Sequence, residues 1–246
     1  MARALLSIVC NNLFMPARSI RARVRAEMMA EIKAVARTHL ATEGANLSLR
    51  AVARDMGMVS SALYRYYPSR DDLLTALIID AYNDLGETVE AAEAAIADRT
   101  QLRERWMAAT RAVRGWALAN PAEYALIYGS PVPGYAAPTD TVAAAARTPV
   151  VLARILADGF GSGQLTKPGF TPSIPPADGV HADMVRARGD IAPEITDELM
   201  LAGISGWIHL FGAVSLELFG QFNNVIDARY EFFDGQMEFM ADLIGL

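Results

Sequence analysis

Residues 48–67 read SLRAVARDMGMVSSALYRYY, and this stretch decides the fold of the first part of the chain. Its apolar spacing predicts a helix over Leu49–Met56 and a second helix from about Val59 to Tyr66. Gly57 supplies the tight turn between them. Ser48 is a suitable N-cap for the first helix. A helix, a short glycine turn and a second helix are typical of a helix-turn-helix.

The second of these helices carries a surface suited to a groove. Small residues at Ala53 and Gly57 let two helices cross closely, and apolar residues at Val52, Met58 and Leu63 fill a core. The outward side chains are small, polar or aromatic, and none is acidic: Ser60, Ser61, Tyr64, Arg65 and Tyr66. A helix with such a surface fits the major groove of B-form DNA. The alternative for Tyr64 is an ordinary core aromatic, as we expect for Tyr67.

Charge is divided unevenly along the chain. Residues 17–70 carry ten basic and four acidic side chains, whereas residues 71–246 carry eleven basic and 24 acidic ones. With Arg3 included, the net charge is −6. A basic N-terminal part followed by an acidic remainder indicates that the N-terminal part binds a polyanion. The alternative is a chance imbalance on a solvated surface. The arginines between Arg18 and Arg25 could form a flexible arm that adds only salt-dependent, nonspecific affinity for DNA.

The remaining pattern predicts an all-α chain. We expect a three-helix DNA-binding domain over residues 17–70, whose first helix spans about 22–42, and a six-helix domain over 71–246. Six helices are predicted there. They are Arg70 to about Ala95, about 100–119, one that starts at 121, about 140–160, about 196–220 and about 226–244. Glycine and proline predict a long loop over 161–193.

Two apolar segments need separate interpretation. Residues 1–16 are expected to be disordered or misannotated, with translation starting near Met15, although the apolar run 4–14 imitates a signal peptide. Leu199–Leu216 has no charge for eighteen residues, the lower limit for a membrane span. Its glycines, serines and histidine favour a buried helix instead. The single cysteine, Cys10, permits no internal disulfide and favours a reducing, cytoplasmic setting.

The block LRAVARDMGMVSSALYRYYPSRDDLL resembles the N-terminal domain of the TetR family of bacterial regulators. The resemblance implies that Tyr64 and Arg70 bind phosphates and that the helix start at Ser48 and Leu49 approaches the DNA backbone. It also gives candidate DNA contacts, which are Arg50, Ser60, Ser61, Arg65 and Tyr66. Arg50 could equally be a solvated charge. The family usually has serine where Val59 stands, so Ser60 could cap the helix and shift the contacts by one residue.

The string Trp207-Ile208-His209-Leu210-Phe211-Gly212 resembles the family branch with a WHG-type C-terminal domain. Aromatic and methionine side chains nearby suit a pocket for a small, largely apolar effector. The pocket candidates are Trp106, Met107, Trp116, Tyr124, Tyr128, Trp207, His209 and Phe211. The alternatives are a well-packed core and, for His209, a hydrogen-bonded core histidine. The three histidines show no metal-binding spacing, and we expect neither a metal nor a cofactor.

A sustained apolar seam predicts a homodimer interface on the last two helices. Its members are Ile204, Ile208, Ile226, Tyr230, Phe233, Met237, Met240 and Ile244. A two-fold dimer matches a near-palindromic DNA site.

The function predicted from these features is a cytoplasmic repressor, with no membrane partner, that binds a double-stranded operator as a dimer and leaves it when the effector binds. No P-loop, zincin or G-x-S-x-G motif is present, so an enzyme is not expected. The alternatives are a helical small-molecule-binding protein, a DNA binder with no effector-controlled operator, and a membrane-attached regulator.

Overall fold

The computed structural model describes residues 17–44, 47–169, 177–189 and 191–246, and the described chain is helical with no strand. The predicted all-α class is confirmed. The expectations for residues 1–16, including a start at Met15, lie outside the described residues. Tertiary contacts divide the chain into two compact units, one ending at Leu77 and the other beginning at Ile78.

The first unit contains α1 (Ala17–Glu43), α2 (Leu49–Asp55), α3 (Ser60–Leu63) and the beginning of α4 (Arg70–Ala94). Each helix turns an apolar face inward. The buried residues are Ile32, Ala36, Leu40, Leu49, Val52, Ala53, Leu63, Tyr67, Leu73 and Leu74. Tyr67 is therefore a core residue, as expected.

Side-chain caps fix where two of these helices begin. The Ser48 hydroxyl accepts a hydrogen bond from the Ala51 N–H (3.4 Å) at the start of α2. The Ser69 hydroxyl accepts one from the Asp72 N–H (3.1 Å) at the start of α4. Such caps satisfy N–H groups that have no partner within the helix. Between α2 and α3, Gly57 adopts φ +66°, a left-handed conformation that glycine adopts without steric cost.

The second unit continues from α4 through the remaining helices. These are α5 (Leu102–Ala119), α6 (Pro121–Tyr128), a 3₁₀ turn (Thr139–Thr141), α7 (Val142–Ala145), α8 (Arg147–Gly161), α9 (Asp178–Arg188), α10 (Asp197–Leu218) and α11 (Arg229–Ile244). The helix α10 packs against α5, α8, α9 and α11, and α5 also packs against α8 and α11.

The predicted helix over residues 140–160 is interrupted. The chain forms a 3₁₀ turn and the short α7, which ends at Ala145, before α8 begins at Arg147. Pro149 is the third residue of α8, and a proline has no N–H to donate to the carbonyl four residues earlier, here that of Ala145. The prediction of one continuous helix over residues 140–160 is therefore wrong at this break.

Part of the predicted loop over 161–193 is also a helix. The helix α9 spans Asp178–Arg188, and Met184 is its single buried residue. A helix with so little buried surface leaves almost no periodic apolar signal in the sequence. The last helix begins at Arg229, later than expected, so Ile226 precedes it.

Trp106 lies at the centre of the second unit. Its side chain is fully buried, and its indole N–H donates to the Met237 carbonyl on α11 (3.0 Å). A Cβ at Gly206 on α10 would lie 2.9 Å from the Trp106 ring. The glycine therefore lets α10 approach the ring, and one side chain on α5 holds both C-terminal helices.

Arginines on α5 add ion pairs to this packing. Arg114 forms a two-pronged pair with Glu217 of α10 (2.6 and 2.8 Å), and both side chains are largely buried. Arg105, also buried, donates to Glu93 and to Asp158 (both 2.6 Å). The Arg105 and Arg114 pairs join α5 to α4, α8 and α10, and their contribution to stability is reduced because removing charges from water is costly.

The helix α10 is long and apolar enough to span a membrane by length and composition alone. Its described neighbours are other helices of the same unit, and its inward residues Leu199, Leu210 and Val214 are buried among them. The core helix of a soluble protein has the same composition, as the sequence analysis expected for this segment.

Candidate nucleic-acid interface and ligand cavity

Most of the side chains predicted to face DNA lie on α3 or in the turn that follows it. Tyr64 is 42% exposed, and Ser61 and Arg65 are also exposed. Ser60 and Tyr66 are half-buried. The helix ends at Leu63 rather than at Tyr66, and tightened turns carry the backbone on to Tyr67.

Val59 occupies the N-cap position of α3. Its backbone is extended (φ −69°, ψ 138°), and its side chain makes no capping hydrogen bond. The expectation that Ser60 takes over the cap is wrong, because Ser60 is already the first helical residue. The start of the helix is therefore not moved by one residue, and Val59 lies just before it with 71% of its surface exposed.

Arg25 has a role that the sequence analysis missed. It lies on α1, which already begins at Ala17, so the arginines from Arg18 to Arg25 are helical and do not form a flexible arm. The Arg25 guanidinium donates to the Arg65 carbonyl (3.1 Å) and lies 5.1 Å from the centre of the Tyr66 ring. These contacts, one of them a cation–π interaction, fasten the end of α3 to α1.

Arg70, the first residue of α4, links this helix to Leu47 just before α2. Its Nε donates to the Leu47 carbonyl (3.2 Å), and its guanidinium lies 3.6 Å from the Asp71 carboxylate. A substitution at Arg70 would therefore disturb the fold as well as any phosphate contact. Close by, Ser48 and Arg50 are exposed at the start of α2, whereas the Leu49 side chain is buried and offers only its backbone.

The predicted effector pocket is mostly a packed core. Trp106, Met107, Trp116 and Tyr124 are buried, and their polar atoms bond inside the chain. The Trp116 N–H donates to Asp84 (2.7 Å), and the Tyr124 hydroxyl donates to the Phe211 carbonyl (3.2 Å). His209 pairs with Gln236 (2.9 Å) and so links α10 to α11.

Tyr128 belongs to the same core through aromatic contacts. Its ring centre lies 4.3 Å from that of Phe211 and 5.9 Å from that of Tyr82. Burial raises the pKa of Tyr82, Tyr124 and Tyr128, so these hydroxyls remain neutral hydrogen-bonding groups.

A cavity of about 370 Å³ does lie in this unit, but on a different side of α10. We call it the aliphatic cavity. Its walls are Ala146, Pro149, Val150, Leu152, Ala153, Leu156, Ala187, Arg188, Ile191, Ala192, Ile195, Met200, Gly203, Ile204 and Trp207. Trp207 is the one predicted pocket residue among them. The other walls come from α8, from α10, and from the end of α9 with the segment that follows it, and the sequence did not predict α9.

A second, more open cavity of about 680 Å³ lies between α4, α6 and α7. Tyr82, Ile127, Val132, Tyr135 and Val142 are among its walls. Ala146 and Pro149 line both cavities, so the two meet at the break between α7 and α8.

The predicted dimer seam is largely internal. Phe233, Met237, Met240 and Ile244 are buried in the core of their own chain. They were assigned wrongly to an interface, because a side chain buried within its own chain offers no surface to a partner. Ile204 lines the aliphatic cavity, and Ile226 is half-buried ahead of α11.

Ile208 and Tyr230 of the predicted seam are exposed. The structure adds Phe239 of α11, which is 58% exposed.

These features define a helix-turn-helix protein with a separate helical C-terminal unit, and comparison with known proteins gives the family. The family model for bacterial regulatory proteins of the tetR family matches residues 32–77. A model for tetracyclin repressor-like C-terminal domains matches residues 106–240, which include the W-x-H-x-x-G string.

Relatives agree with these matches. The HTH-type transcriptional regulator Rv1816 of Mycobacterium tuberculosis is 42% identical over 204 residues, which cover 80% of this chain and 83% of that protein. The HTH-type transcriptional regulator Mb1846 of Mycobacterium bovis matches equally well. The crystal structure of the regulatory protein SCO4313 is 35% identical, covers 89% of this chain and 97% of that one, and has a TM-score of 0.70.

The TetR-family regulator PfmR from Thermus thermophilus shares the fold, with 17% identity, coverage of 87% of this chain and 98% of that one, and a TM-score of 0.55. The chain therefore belongs to the TetR family. It is a transcriptional regulator with a DNA-binding helix-turn-helix, and the family is not a class of enzymes.

The missing cap of α3 can be tested by the substitution Val59→Ser. A serine there would accept a hydrogen bond from a first-turn N–H and should raise the free energy of unfolding by about 0.5–2 kcal/mol. Urea denaturation followed by circular dichroism measures the change. Val59→Ala, which removes the side chain without adding a cap, is the control. Equal stability of the two variants would contradict this account of α3.

Proposed function

We propose that this protein is a cytoplasmic repressor that binds a near-palindromic operator as a homodimer and leaves it when a small, largely apolar effector occupies the aliphatic cavity. The observation that carries the proposal is the pairing of an acid-free, exposed α3 surface in one unit with an apolar cavity in the other. Regulators of this family bind DNA, typically act as dimers with small-molecule effectors, and are generally cytoplasmic.

The DNA contacts that we propose are on α3 and at the start of α2. Ser61 on α3 and Tyr64 and Arg65 in the turn that follows it are exposed, and a major groove can admit such a segment. Arg50 is exposed at the start of α2. The role of Arg25 in fastening Arg65 and Tyr66 supports this choice, because a reading surface must be held rigidly. Val59 adds an exposed apolar group that could contact a thymine methyl.

The dimer face that we propose lies on the outer side of α10 and α11. Ile208 and Phe239 are large exposed apolar side chains on these two helices. Gly212 and Gly235 lie within one helical turn of the His209–Gln236 link, and a Cβ at either would meet nothing within 4 Å. Glycine inside a helix costs about 1 kcal/mol relative to alanine. Packing within the chain does not require these glycines, whereas close approach of a partner's helices would.

The route that we propose from the cavity to DNA runs through α4. Arg147, at the start of the cavity-lining α8, forms a two-pronged ion pair with Glu90 of α4 (2.6 and 2.8 Å) and donates to the Asn83 carbonyl (2.9 Å). A Cβ at Gly86 would lie 2.7 Å from the Arg147 Cβ, so the two helices approach closely here. The helix α4 is continuous from this contact to Arg70. If α8 can adopt two arrangements and an effector binds one of them more tightly, the effector would also shift the equilibrium between two positions of α4.

The DNA-binding proposal is tested by selecting bound fragments of the source genome with the purified protein at near-physiological salt. We expect a near-palindromic motif, and we expect Tyr64→Ala combined with Arg65→Ala to lower affinity for it by about tenfold or more. Arg154→Ala, an equally exposed arginine on α8, should bind as the unaltered protein does. Recovery of scattered DNA without a motif would refute the operator.

The dimer proposal is tested by placing a charge on the proposed face. Ile208→Glu should give monomers in analytical ultracentrifugation, because an unpaired carboxylate would be buried between the partners. Val185→Glu, which changes an exposed valine on α9, should leave the dimer intact. If both variants sediment as the unaltered protein, the partner uses another surface.

The α4 route is tested with Glu90→Gln, which weakens the pair with Arg147. The carboxylate is held ionised by that arginine, whose hydrogen bond lowers the pKa of Glu90. We expect unchanged affinity for 1-decanol, used as a probe ligand, and unchanged affinity for DNA alone, but weaker release of DNA by the probe. Glu104→Gln, at an exposed glutamate on α5, is the control. Full release by the Glu90→Gln variant would exclude this route.

A further inference from the structure

One end of the aliphatic cavity carries the single charged side chain of its described walls. Arg188, the last residue of α9, lies there with 13% of its side chain exposed. Apart from Arg188 and the indole of Trp207, the described wall side chains are wholly apolar. A ligand can therefore carry a negative charge at its polar end only if this guanidinium is available to pair with it.

The Arg188 guanidinium is already engaged on two sides by its own chain. One nitrogen lies 2.9 Å from Oδ1 of Asp197, and the other donates to the Ile195 carbonyl. The second oxygen of Asp197 contacts Nδ1 of His181 on α9. Asp197 is placed for this role by the first turn of α10, where the Thr196 hydroxyl accepts from the Leu199 N–H.

We propose that the aliphatic cavity binds an uncharged, elongated apolar molecule, and that Asp197 sets this specificity by withholding Arg188 from anionic ligands. The inference rests on the proposed function in taking this cavity as the effector site. A carboxylate that enters the cavity loses its hydration, and only a charged partner can offset this loss of free energy. The one cation among the described wall residues is neutralised by Asp197, so an anion must break that pair first.

A neutral group meets no such cost. A hydroxyl or carbonyl at the ligand's end needs at most one hydrogen bond, and the rest of the ligand replaces water along aliphatic walls. Removing the negative charge of Asp197 should therefore help a carboxylate ligand and leave its neutral counterpart unaffected. This difference separates an effect of Asp197 from the general preference of an apolar cavity for apolar molecules.

The test compares 1-decanol with decanoate, which share a chain length, by equilibrium dialysis of the radiolabelled compounds with the full chain. The unaltered protein should bind 1-decanol and bind decanoate at least about tenfold more weakly. Asp197→Asn should tighten decanoate binding by about tenfold and change 1-decanol binding less than about twofold. Glu198→Gln removes the same charge from the next residue, which is exposed and not part of the cavity wall, and should change neither affinity.

Two further variants secure the assignment. Adding Arg188→Met to Asp197→Asn should abolish the gain for decanoate, because the released cation is then absent. Ala153→Trp, which fills the cavity from α8, should abolish binding of both compounds while circular dichroism shows an intact helical fold. Each variant's fold is compared with that of the unaltered protein by the same measurement.

Three results would overturn the inference: no binding of 1-decanol, equal binding of both compounds by the unaltered protein, or equal gains from Asp197→Asn and Glu198→Gln. DNA release is measured separately on the selected operator. If the binding pattern is as expected but 1-decanol leaves DNA affinity unchanged, the effector part of the proposed function fails and the specificity of the cavity stands.

Discussion

The contact between Trp106 and Gly206 is the constraint on which the second unit depends. The indole ring occupies the space that a side chain at residue 206 would need, and its N–H is bonded to the backbone of α11. This fixes α10 and α11 against α5. The aliphatic cavity and the exposed surface of α10 and α11 then depend on which faces of these two helices remain uncovered.

One face of α10 closes the aliphatic cavity, and its outer face remains exposed together with that of α11. The cavity lies between α8, the end of α9 and α10, so its walls can move only if one of these helices moves against the packed centre. The Arg147–Glu90 pair attaches α8 to α4 at the same level as the close contact at Gly86. Packed interiors respond to a ligand by switching between arrangements rather than by deforming smoothly.

The DNA-binding unit was predictable because its determinants are local. A glycine with positive φ, serine caps at Ser48 and Ser69, and apolar residues at helical spacing each specify the backbone within a few residues. The family resemblance rested on the same positions and is confirmed. What local reasoning missed was Arg25, whose partners lie forty residues away along the chain. An arginine in a basic stretch gives no sign of a ring or carbonyl that only the fold brings near.

The sequence predicted the second unit as a helical domain but did not predict the position of its cavity. Aromatic side chains such as Trp116 and Tyr124 suit a pocket and a core equally well, and only tertiary packing decides between them. The seam on α11 had the correct period, yet periodicity does not tell which helices cover the apolar face. Here α5 and α10 of the same chain cover it. The helix α9 and the break at Pro149 left weak signals, and both form the cavity wall.

The internal position of the α11 seam has a consequence for how such regulators diverge after gene duplication. With the dimer face that we propose, two recent copies would share the same outer surfaces of α10 and α11 and would form mixed dimers that combine their responses. Because the buried seam maintains the fold of each subunit, the exposed positions Ile208, Gly212, Gly235 and Phe239 can change without endangering the core. On the dimer face that we propose, substitutions at these four positions would change how strongly two copies pair while the fold of each copy is kept.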